Sequence, residues 1–225
     1  MDSSRAERII QSLETKSTLK QTIFTNTVSV FEDLKEILHE MSVEINDALT
    51  NTRLIKVEYR DRGKFEAQLQ VATDMLIFSM HTNVFEFNRE HSIFQNKYVK
   101  QDPTNSYCGI ISIYNFLADS FKYNRMADEG YLIGRIFINH EKQFFVEGKR
   151  QKVFCHDTFG TGEITKEKLT EIIQIAIQYS IDFDLLVPPY DAIKVVEVEQ
   201  MNTKIENSRI QTGKRLGYKF NSDDV

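Results

Sequence analysis

No glycine or proline interrupts this chain before Gly63, and no proline occurs before Pro103. So long a run without the two residues that most strongly break regular structure favours helix over a sheet rich in turns. The apolar spacing agrees. Phe24, Thr27, Phe31, Leu34, Leu38, Met41, Ile45 and Ala48 follow one another at alternating steps of three and four, the pattern that gathers side chains on one seam of a helix. Ile23, Ile37 and Leu49 widen that seam. A shorter helix is predicted ahead of it from Arg5 to Glu14, with Ile9, Ile10 and Leu13 on one face and Ser3 or Ser4 as cap. The seam can pack on the chain's own sheet or meet another chain. In the second case Phe24, Phe31, Leu34, Leu38, Met41 and Ile45 form the interface, with a protein partner or a second copy in a homodimer.

From Leu54 the apolar period changes from helical to two. LIKVEYRDRGKFEAQLQVA alternates on both sides of Asp61-Arg62-Gly63, which predicts a hairpin whose glycine supplies a positive φ. Met75–Met80 and Asn83–Phe87 extend it into a meander. Pro103 and its polar neighbours end regular structure before Tyr107. Ile110–Tyr123 is long for a strand and carries Ile113, Phe116, Leu117 and Phe121 at helical steps, so a buried helix is expected there. Tyr131–Asn139 and Gln143–Glu147 read as a second hairpin around His140-Glu141-Lys142. Thr165 caps a helix running to about Tyr179, and Ile193–Glu199 alternates as a final strand. The expectation is an α+β protein: a helical arm at 1–52, a core at 53–201 with a largely antiparallel sheet covered by two or three helices, and a polar, partly mobile tail at 202–225.

Lys plus Arg number 28 against 33 Asp plus Glu, a formal net charge of -5. Such a chain has no global positive field to gather nucleic acid or an anionic membrane. Two cysteines make no disulfide framework, and MDSSRAERII has neither the apolar run nor the cleavage site of a secretion signal. These features predict a cytoplasmic protein that is not embedded in a membrane.

Four local patterns bear on chemistry. In FFVEGK a hydrophobic strand ends in Glu147-Gly148-Lys149, and alternation along a strand would set the carboxylate and the ammonium side by side on one face. This resembles the last half of the signature of PD-(D/E)xK nucleases. The resemblance implies a Mg²⁺-dependent phosphodiesterase in which Glu147 and a second carboxylate, Asp128 or Glu129, hold the ion and Lys149 steadies the nucleophile. The preceding strand, GYLIGRIFIN, carries no acid where that family places a metal-binding Asp.

Cys108 stands before Gly109 at what the helical reading makes a helix start, where a dipole would activate a thiol. Its residue type fits an inert buried cysteine better. Cys155, His156 and Asp157 alternate faces if extended, so at most two could meet one ion, short of a zinc site. Gly160-Thr161-Gly162 leads into the Thr165 helix as a phosphate loop would, but Thr165 stands where a third glycine is required. With no complete catalytic set, the sequence favours a non-enzymatic sensing or assembly module acting through protein contacts, its aromatic-rich sheet wide enough for a small ligand. No cofactor is called for, and Mg²⁺ enters only with the nuclease alternative.

Overall fold

A computed structural model describes residues 3–50, 55–148, 159–183, 190–199 and 201–203. The N-terminal region is a continuous helical rod: α1 (Ser3–Ser12), a π-helical turn at Leu13–Ser17, and α2 (Thr18–Ala48). The predicted break between two helices is instead this π turn, which widens the helix without ending it. Strands β1 (Val57–Asp61), β2 (Glu66–Val71) and β3 (Asp74–Met80) form the expected meander. In the first turn Gly63 adopts a φ of +105°, and its N–H donates to Asp61 Oδ1 at 2.8 Å. After β4 (Phe85–Glu86), α3 (Lys97–Gln101) and β5 (Tyr107–Leu117) come α4 (Ala118–Lys122), β6 (Tyr131–Ile138), β7 (Phe144–Gly148), α5 (Lys166–Ile181) and α6 (Tyr190–Ile193). The seven strands make one antiparallel sheet in the order β1-β2-β3-β5-β6-β7, with β4 paired on β5 off that path.

Three sequence expectations change. The helix expected at Ile110–Tyr123 is mostly the central strand β5, and only Ala118–Lys122 is helical. Ile111, Ile113 and Asn115 are buried on one face, while Cys108 is buried on the other, where Ile110, Ser112 and Tyr114 are half-buried. A strand covered on both faces shows apolar residues at helical and strand spacings alike, and its β-branched isoleucines decide for the strand. The strand expected at Asn83–Phe87 contracts to the two residues of β4. At Ile193–Glu199 there is no strand: α6 ends at Ile193, and Val195 and Val198 are 80% and 76% exposed. No described strand pairs with this segment. By contrast, the hairpin β6–β7 and the capped helix α5 form as expected, with Thr165 Oγ1 accepting from the Lys168 N–H at 3.4 Å.

The core lies between the sheet and the layer made by α2 and α5. From α2 it takes Val30, Phe31, Leu34, Leu38 and Met41, and from α5 it takes Leu169, Ile172, Ile173 and Ala176. Against them pack Leu69, Leu76, Phe78, Ile111, Ile113 and Ile136 of the sheet. A second apolar cluster, with Ile93, Val99, Cys108, Phe137 and Phe159, sits apart from it. One close approach of α2 to the sheet is at Gly109. A Cβ there would stand 2.1 Å from Thr27 Oγ1 and 2.9 Å from Thr27 Cβ, so glycine is what lets the helix lie down on β5. Thr27 is wholly buried, and its hydroxyl donates to the Ile23 carbonyl at 2.7 Å.

Two outcomes in urea denaturation check this packing. Gly109→Ala is expected to cost about 1–3 kcal/mol through overpacking, with part recovered when Thr27→Ala removes the opposing Oγ1 and Cγ2. Leu34→Ala is expected to cost about 3–5 kcal/mol, the range of fully buried leucines whose cavity cannot collapse.

Candidate functional site

Along the rod the burial changes abruptly. From Ile23 to Met41 the inner stripe of α2 is covered by the sheet, and Phe31, Leu34 and Leu38 are wholly buried. Phe24 and Ile45 are partly buried against the same core, and Met41 belongs to it. The six residues named as an interface therefore hold the helix to its own sheet. Among the described residues nothing comparable covers α1 and the π turn. Ile9, Ile10 and Leu13 are 44%, 53% and 57% exposed, and no residue of the π turn is buried.

This uncovered arm has its own chemistry. Ile9 and Leu13 share a shallow groove with Arg5, Arg8, Lys16 and Lys20. Spacings of three and four place these side chains on one side of a helix. At the root of the arm Lys16 Nζ lies 5.7 Å from the centre of the Tyr107 ring, which anchors it beside the start of β5. Among described residues the apolar stripe thus runs off the sheet and becomes a basic-edged surface. The sequence showed Ile9, Ile10 and Leu13 but not the basic edge, which a helical projection of residues 5–20 would have brought out.

The nuclease-like residues fall differently. Glu147 lies on β7 directly opposite Arg135 of β6. Arg135 Nε donates to Glu147 Oε2 at 2.9 Å, and a second contact to that oxygen comes from Nη2. Asp128 accepts from Ser120 Oγ at 2.6 Å and pairs with Arg125 Nε at 2.8 Å. Glu129 is exposed in the same loop. Each of the two paired carboxylates thus has its own cation. Lys149 lies outside the described residues, as do Cys155, His156 and Asp157. Among the described residues no group of three or more His, Cys, Asp or Glu is arranged to hold a metal ion.

Cys108 is the second residue of a strand, so no helix dipole acts on it, and it is wholly buried. That burial alone pushes its thiol far above the ordinary range, which keeps it protonated and unreactive. At Gly160-Thr161-Gly162 the backbone is already engaged. The Gly162 N–H donates to Gln143 Oε1 at 2.9 Å, and a Cβ at Gly160 would meet Tyr98 Cβ at 2.4 Å. These glycines fasten the α5 approach to the β6–β7 turn and to Tyr98 instead of cradling an anion.

A polar network braces the same region. Asn139 is wholly buried; its Nδ2 donates to Tyr98 Oη at 2.7 Å, and its Oδ1 accepts from the Glu141 and Gln143 N–H groups. Tyr98 in turn donates to Glu141 Oε2 at 2.5 Å. Burial first, and the hydrogen bond to the Glu141 carboxylate second, raise the Tyr98 phenol above its ordinary value. It remains a neutral donor across the physiological range. Asn26 of α2 closes the network by donating to the carbonyls of Asn139 and His140.

No protein-family model matches the chain, and no curated protein or solved structure is significantly similar to it. No helix among the described residues is long and apolar enough to cross a membrane.

Unfolding in urea separates these two polar sites. Glu147→Gln is expected to change stability by less than about 1 kcal/mol, since both partners of the pair remain partly in water. Asn139→Ala is expected to cost about 1–3 kcal/mol, because it takes the acceptor from two partly buried backbone N–H groups and removes a donor from Tyr98.

Proposed function

We propose that this protein is a non-enzymatic assembly module whose N-terminal helical arm docks on another protein. The observation that carries the reading is the change along one helix from a stripe covered by the sheet to a stripe left open at Ile9, Ile10 and Leu13. Apolar residues scattered singly on a surface need no explanation, but three large ones on a helical projection are a docking face.

The basic edge selects the partner. Arg5, Arg8, Lys16 and Lys20 flank the groove, so two arms laid face to face along that edge would bring like charges together. A groove lined by apolar residues and rimmed by Asp and Glu complements it. An anionic bilayer has matching charge but is the weaker candidate. Three large apolar side chains bury little area in a membrane interface, and the chain as a whole carries a net charge of -5.

Because no residue of 4–17 is buried, a chain beginning at Thr18 is expected to keep the thermal midpoint of the full chain within about 2 °C, whereas a chain beginning at Thr50 loses half the core layer and unfolds. Crosslinking from Leu13 identifies the partner, and binding is then measured with both proteins purified. Leu13→Asp and the paired change Arg5→Glu/Arg8→Glu are each expected to weaken that complex about tenfold or more. Unchanged affinity in these variants overturns the proposal. So does sedimentation of the full chain, but not the Thr18 chain, with phosphatidylserine vesicles, which would make the arm a membrane element.

A further inference from the structure

At the opposite end of β5 from Tyr107, a cavity of about 450 Å³ opens where β3 begins, β5 ends and β6 begins. Its polar lining is one-sided. Asp74, Asp128 and Glu129 contribute carboxylates, and Arg125 contributes the one cation among the residues that line it. Arg125 is already committed: it pairs with Asp128 and lies over the Tyr123 ring at 6.0 Å. Three carboxylates against one cation give the lining an excess of acceptors and of negative charge.

Asn115 makes this concrete. It lines the cavity and is only 4% exposed. Its Nδ2 donates to Asp74 Oδ1 at 3.2 Å, while its Oδ1 is buried without any partner. Turning the amide round does not remove the problem, since the carbonyl oxygen would then face the Asp74 carboxylate. A buried carbonyl oxygen without a donor is costly, and natural structures seldom leave one unless something supplies the donor. Asp74 points the same way. Desolvation raises its carboxyl above the ordinary value, and the hydrogen bonds from Asn115 and Thr73 offset only part of that. A positive charge beside it would restore the balance.

The remaining walls are apolar. Phe116, Leu117, Tyr131 and Phe183 line the cavity, and the Tyr131 and Phe183 rings lie 5.6 Å apart at 46°. Aromatic faces attract cations, and their edges pack alkyl chains. Gly130 helps to shape the wall, because a Cβ there would stand 2.2 Å from the Phe116 ring.

We infer that this cavity is a binding site for an alkylammonium group, whose N–H donors go to Asn115 Oδ1 and the Asp74 carboxylate while its methylene chain lies against Phe116, Tyr131 and Phe183. Glu129, exposed in the loop that borders the cavity, adds negative charge at the site. The head group is the same in a free primary amine and in a lysine side chain of a second protein. The site is independent of the N-terminal arm.

The test titrates the full chain, followed by NMR of the Asn115 side-chain amide, with n-butylamine, with N-acetyl-lysine methylamide and with 1-butanol as neutral control. Saturable binding of an ammonium probe at concentrations where 1-butanol is silent supports the site. Tighter binding of butylamine identifies a free amine as the source, and tighter binding of the blocked lysine identifies a peptide. Asp74→Asn is expected to weaken binding about tenfold, the loss of one charge-assisted contact, and Glu129→Gln to weaken it less. Neither variant should unfold the chain: at neutral pH, neutralising a carboxyl whose folded-state value is raised removes a destabilising charge, and Glu129 is exposed. A thermal melt checks this. Equal binding of 1-butanol, no saturation by either amine at tens of millimolar, or wild-type affinity in Asp74→Asn overturns the inference and leaves a bound water as the partner of Asn115.

Discussion

Everything else in this protein depends on how closely α2 can lie on the sheet. The approach is tight where Thr27 meets β5 at a residue with no side chain, Gly109. That contact lets Phe31, Leu34 and Leu38 reach the sheet and be wholly buried. It also fixes the depth of the layer that α5 shares. Buried apolar surface is the main favourable term here, at about 25 cal/mol per Å². The polar contacts direct it: Thr27 keeps its hydroxyl satisfied inside its own helix, and Asn26 ties α2 to the β6–β7 turn.

A helix docked along only part of its length has two kinds of surface. Where the sheet ends, the burial ends, yet the helix continues through the π turn into α1. The rod thus joins a rigid anchor to an amphipathic projection. The fold spends its own seam on its core and leaves the stripe of α1, with its basic edge, exposed among the described residues. The cavity at the far end of β5 is a second and separate opportunity, built from acceptors on β3 and β5 and from aromatic rings on β5, β6 and the residue two beyond α5.

Much of the fold was legible in the residues. The glycine-free, proline-free start, the Asp61-Arg62-Gly63 turn, the β6–β7 hairpin and the Thr165 cap are local signals, and each formed where it was expected. The failures share a cause that is not local. Ile110–Tyr123 carries both periods because β5 is covered on both faces, and only its pairing with β3 and β6 decides between them. Ile193–Glu199 alternates but pairs with no described strand. The sites were less legible still. Glu147 invited a nuclease-like reading until the register placed Arg135 opposite it. Asn115 and Asp74 lie 41 residues apart, and no spacing rule brings such a pair together. Ile9, Ile10 and Leu13 were visible, but their exposure depends on where the sheet ends.

Hydrogen exchange along the N-terminal rod of the isolated full chain tests the central claim most directly. Amides open with free energies that follow tertiary cover, so the account expects two levels: protection near the global unfolding limit over residues 23–41, and fast, nearly uncovered exchange over residues 4–17. Uniform strong protection from end to end in the isolated chain would contradict it, because the arm would then already be covered. Weak protection over 23–41 would contradict it equally, because α2 would not be the foundation of the core.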